Sequence, residues 1–110
     1  MRQFSFMFIV LTTTPNAVEA EALAEKIVAA RLAACVQILP QMTSVYVWEG
    51  KLQRTSEHLL LIKTLHEKFD EMEKFITANH SYDVPEIVAI DAARVSEPYR
   101  QWLHETLASG

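Results

Sequence analysis

The chain has 110 residues, half of them hydrophobic, one cysteine and a formal net charge of −4. That length argues for a single domain over residues 1–110 with a core of modest depth, and the apolar content argues against disorder. Acidic and basic residues are mixed, with no basic stripe for a phosphate backbone and no apolar run long enough to span a bilayer, so nucleic acid and membrane are not expected partners.

The first apolar stretch, residues 4–11 (FSFMFIVL), reads as a strand. It alternates β-type residues and lacks a small-residue cleavage site, so it is not read as a signal peptide. "TTTPN" follows as a loop. Asn16 with Glu19 three residues on is a cap-and-return pattern that opens a helix. That helix runs to about Arg31, with Ala20, Leu23, Ala24, Ile27 and Ala30 as its buried stripe.

A second strand is expected over residues 33–48, interrupted by a bulge at Pro40 on a sheet edge, where a missing N–H does no harm. Glu49-Gly50 makes a turn into a third strand over 51–65. A second helix spans 67–78, with Phe69, Met72 and Ile76 on its apolar face and Asn79 as its stop. "HSYDVP" is a loop and residues 86–93 a fourth strand. Ser96 caps a last helix that turns Tyr99, Trp102, Leu103 and Leu107 inward.

The order β-α-β-β-α-β with a C-terminal helix gives an α+β, ferredoxin-like arrangement with both main helices on one face of a sheet. Strands one, three and four are nevertheless apolar on both sides, a pattern expected where both faces are buried. The hairpin over 44–64 is also too long. Sixteen residues at about 3.3 Å span roughly 50 Å, against about 24 Å for a helix of equal length. Its tip should overhang the domain, and an uncovered apolar face would aggregate unless paired. The expected cover is other copies of the chain, closed into a ring.

The segments "RLAACVQILP", "SVYVWEGK", "EHLLLIKT" and "HSYDVPEIVAI" occur in this order. Together they resemble the CutA divalent-ion tolerance family, over nearly the whole chain. The resemblance implies a homotrimer of ferredoxin-like subunits, similar in assembly to the PII signalling proteins. It also implies a non-enzymatic role linked to copper and other divalent cations. In that family a cysteine at the position of Cys35 is associated with copper, with a cysteine in the first strand and a histidine just before the "HxY" histidine. Here those last two positions read Thr12 and Asn79, leaving Cys35 and His80 as the metal candidates.

Thiolate and imidazole suit copper, but a lone cysteine such as Cys35 is more often a small buried hydrophobe. No CxxC, HxxxH or HExxH is present, and the two glycines, Gly50 and Gly110, form no phosphate loop. Without a nearby Arg or Lys, "TTTPN" is a helix entry, which argues against a hydrolase. His58, His66 and His104 read as surface residues. The remaining polar cluster is Glu57 and Lys63 on one face of the third strand, with Tyr46, Trp48, Tyr82 and Glu86. It reads either as a ligand cleft between subunits or as an interface salt bridge that sets register. A structural platform for a protein partner, without metal, is the competing function. The single thiol, with no intrachain disulfide, suits a reducing cytoplasm.

Overall fold

The computed structural model describes residues 7–108. In chain order these form β1 (Met7–Thr14), α1 (Ala17–Ala29), β2 (Cys35–Ile38), β3 (Met42–Trp48), β4 (Lys51–Leu65), a 3-10 turn (His66–Lys68), α2 (Phe69–Asn79), β5 (Val88–Asp91) and α3 (Glu97–Ala108). The sheet order β2-β4-β1-β5, all neighbours antiparallel, is the ferredoxin-like split βαβ. The part of the first-strand expectation that falls on residues 4–6 lies outside the described residues.

Helix α1 forms where the cap predicts. The Asn16 side chain accepts from Glu19 N–H at 2.9 Å and donates to the Glu19 carboxylate at 2.9 Å. At the other end Arg31 takes a left-handed backbone at φ 61°. Its N–H bonds to Val28, and Leu32 N–H reaches back to Ile27, which closes the helix as a Schellman turn without a glycine. The Arg31 guanidinium donates to the Thr106 carbonyl near the end of α3. Ala30, expected in the buried stripe, is exposed because the helix has already ended.

Alternation sorts the central strands into two faces. Val10, Leu60 and Ile62 point toward α1 and α2 and meet Leu23, Ile27, Met72 and Ile76 in the main core. Met7 and Leu65 point the other way, where Leu103 and Leu107 of α3 cover them. Helix α3 therefore covers one end of this second face. Beyond it Leu11, Leu59 and Leu61 stay half-buried, and Val88 and Ile90 are 47% and 48% exposed. Trp102, expected inward, is 43% exposed, stacked at a tilt on Tyr99. Thr12, Thr13 and Thr14, expected in a loop, extend β1 because each pairs with β4.

The expected second strand is two strands. Ile38 pairs with Leu60 and Met42 with Glu57, so the three residues between them, 39–41, oppose two of β4, 58–59. That extra residue is a bulge beside Pro40. Leu39 N–H still bonds to the Leu59 carbonyl, and the Leu39 carbonyl faces His58 Nδ1 at 3.0 Å. His58 is thus half-buried and pins the bulge, where a surface residue was expected.

Beyond the bulge, β3 and the first half of β4 form a two-stranded ribbon that leaves the sheet. Glu49 and Gly50 carry φ of 50° and 76°, the two left-handed residues of a type I′ turn. The 15 residues of β4 account for the long axis of the molecule, whose extents are 49 × 28 × 24 Å.

Because the Asn16 side chain satisfies an otherwise orphaned helix donor, Asn16→Ala should lower stability by about 1 kcal/mol. Asn16→Ser, which keeps an acceptor, should lose clearly less. Urea midpoints of the three proteins check this.

Candidate functional site

The bulge decides which side chains meet. Across an antiparallel pair, partners share a face. After the one-residue shift, Ser44, Tyr46 and Trp48 lie on the same side as Thr55 and Glu57. Without it Val45 and Val47 would take that side. The Thr55 hydroxyl accordingly lies 3.4 Å from the Tyr46 hydroxyl.

The other wall is the segment after α2, which His80 fastens to the sheet. Tyr82 N–H donates to His80 Nδ1 at 3.0 Å. That bond puts the ring proton on Nε2, which then donates to the Thr13 carbonyl at 2.6 Å. The neutral ring is fully engaged. From this anchor Tyr82 extends to β4, and its hydroxyl donates to Glu57 Oε2 at 2.8 Å.

Between the two walls lies a cleft of about 810 Å³. Its floor is Thr13 and Glu57, one side is Ser44, Val45, Tyr46 and Trp48, and the other runs from Ser81 to Glu86. Glu57 is only 7% exposed. Desolvation, then the hydrogen bond to Glu57 and its negative charge, push the Tyr82 phenol well above the ordinary tyrosine range. The hydroxyl therefore remains a donor at neutral pH.

The cleft gathers Tyr46, Trp48, Glu57, Tyr82 and Glu86 of the expected set. Lys63 does not join them. It lies six residues from Glu57 on one strand, about 20 Å away, and donates to Gln37 Oε1 at 2.5 Å. Sharing a face placed both side chains on one side of the sheet, but strand rise keeps them apart.

Cys35 and His80 do not meet either. Cys35 pairs with Lys63, whereas the Thr13 that binds His80 pairs with Leu59, four residues along β4 or about 13 Å away. Thr12 is buried on the helix-facing side, opposite Leu60. The Asn79 amide donates to the Phe75 carbonyl. Among the described residues no three His, Cys, Asp or Glu side chains are grouped to hold a metal ion. His66, read as a surface residue, is paired with Asp91 at 2.6 Å and stacks against Phe8.

Residues 8–106 match the CutA1 divalent ion tolerance protein family. The chain is 45% identical over 95 residues to the chloroplastic protein CutA of Arabidopsis thaliana, covering 86% of this chain and 52% of that protein. It is 42% identical over 97 residues to the divalent-cation tolerance protein CutA of Thermus thermophilus, covering 88% and 94%. Among solved structures, the periplasmic divalent cation tolerance protein CutA of Archaeoglobus fulgidus superposes with a TM-score of 0.89 at 36% identity, covering 92% and 98%. The chain thus spans about half the length of its plant relative and nearly all of the bacterial one.

These relatives overturn the cytoplasmic expectation, since one is called chloroplastic and another periplasmic. A single thiol has no intrachain partner in any compartment, so it carries no redox address.

The Tyr82 shift has a definite sign. A phenol whose folded value is raised adds stability that is present below about pH 10, the ordinary tyrosine value. That stability is lost as pH rises through the folded value. Glu57→Gln should bring the Tyr82 titration down toward the ordinary range. Tyr82→Phe should remove the last step of the phenolate absorbance titration and, by stranding a buried carboxylate, cost about 1–3 kcal/mol.

Proposed function

The chain belongs to the CutA1 divalent ion tolerance protein family, and from that premise we propose that it acts in divalent-cation tolerance as a non-catalytic homotrimer with ligand-binding clefts. The observation that carries this reading is the second sheet face. Leu11, Leu59, Leu61, Val88 and Ile90 lie beyond the reach of α3, and the ribbon beside them presents Val47 and Leu52 at 67% and 71% exposed. An isolated two-stranded ribbon is marginal in water. A second copy that pairs with it or packs on it supplies the missing apolar contact.

A hairpin passed to a neighbour is a heterologous contact, which either closes into a ring or runs on as a filament. Three copies make the smallest ring in which each subunit gives its hairpin to one neighbour and receives another's. The bare faces then meet at the centre. Lys63, whose described side-chain partner is Gln37, would lie on this face, turned toward a neighbour's acids.

The polar groups support a binding role over catalysis. His80 has both ring nitrogens committed to backbone groups and so offers no free base. The buried acid, Glu57, is held by a tyrosine that keeps its proton. A resident copper ion does not fit the donors of one subunit: Cys35 stands apart from the engaged His80, and Thr12 and Asn79 add no thiolate or imidazole. No copper step is therefore assigned to the cleft.

Sedimentation at micromolar concentration should give a particle near three times the 12.5 kDa chain mass. A stable monomer would overturn the assembly.

A further inference from the structure

The cleft is an unusual place to bury a carboxylate. Glu57 is only 7% exposed, and its Oε2 accepts from the Tyr82 hydroxyl. Among the described residues no Lys or Arg lines the cavity, while Asp83 and Glu86 add two more carboxylates to its outer wall. A nearly dry carboxylate without a cation is poorly compensated. The floor of the cleft is thus built to receive positive charge.

Which cation fits follows from size, spacing and walls. The three acids are not gathered for one metal ion, and about 810 Å³ is far more room than a single ion fills. The wall opposite the acids carries Tyr46 and Trp48, whose ring faces attract ammonium groups and whose bodies pack on methylene chains. Dispersed carboxylates facing aromatic walls suit charges spread along an apolar stem.

We propose that this cleft binds an aliphatic oligoammonium, one amine donating to Glu57 at the floor and another held near Asp83 or Glu86 at the mouth. The proposal rests on reading the cleft as a ligand site and not on the number of subunits. The bulge beside Pro40 is its structural origin, because it places Tyr46 and Trp48 on the Glu57 side.

The probe is spermidine, followed by Trp48 fluorescence in a Trp102→Phe background, so that one indole remains of the two in the chain. Magnesium chloride at equal ionic strength controls for charge, and hexanoate controls for an apolar stem. Spermidine should give a saturable change that neither control reproduces. Glu57→Gln should weaken it about tenfold or more, the value of a hydrogen bond to a charged group. Glu86→Gln, at an exposed position that does not endanger folding, should weaken it several-fold.

A response matched by magnesium, or one unchanged in both variants, would overturn the proposal. A trimer that shows no saturable spermidine response would refute the ligand class and leave the assembly standing. A monomer that still binds spermidine through Glu57 would do the reverse.

Discussion

β4 is nearly twice as long as β1, the central strand beside it, and the other features of this chain depend on that mismatch. Its second half, from His58 to Leu65, pairs with β1 and builds the core. Its first half has only β3 for company and leaves the sheet as a ribbon. One continuous strand thus couples the rigid fold to an overhanging arm. The same geometry opens the cleft, because Glu57 sits where β4 passes from one environment to the other.

At that junction a single inserted residue sets the chemistry. The bulge beside Pro40 exchanges the faces of β3 relative to β4, so Tyr46 and Trp48 join Glu57 on one face. His58 bonds the carbonyl at the bulge, and His80 fastens the opposite wall. Two imidazoles therefore brace the site through backbone groups. Tyr82 completes the frame by closing on a buried carboxylate, an arrangement that favours binding a cation over transferring a proton.

The sequence made local features legible and distant pairings less so. The Asn16–Glu19 cap was readable because both partners lie within one turn. The break at Pro40 was readable because proline lacks a donor. The length of the third strand was readable from its composition, and with it the overhang. Within one subunit Glu57 and Lys63 stand apart, because alternation reports the face and says nothing of distance. Tyr82 was placed in the right cluster, but its bond to Glu57 depends on how His80 sets the loop, which no spacing encodes. The close of α1 at Arg31 carried no glycine signal. Trp102 looked like a core residue by size, yet α3 is anchored by Leu103 and Leu107.

Among the described residues the ribbon formed by β3 and the first half of β4 has no third strand, so in the proposed assembly its protection would come from a neighbour. Native-state hydrogen exchange of the amides of residues 42–56 measures that protection strand by strand. If copies cover the ribbon, its slowest amides should exchange nearly as slowly as those of β1, and should speed up on dilution below the assembly midpoint. Ribbon amides that exchange fast at every concentration, while β1 stays protected, would show that the arm is bare and that the overhanging strand does not serve assembly.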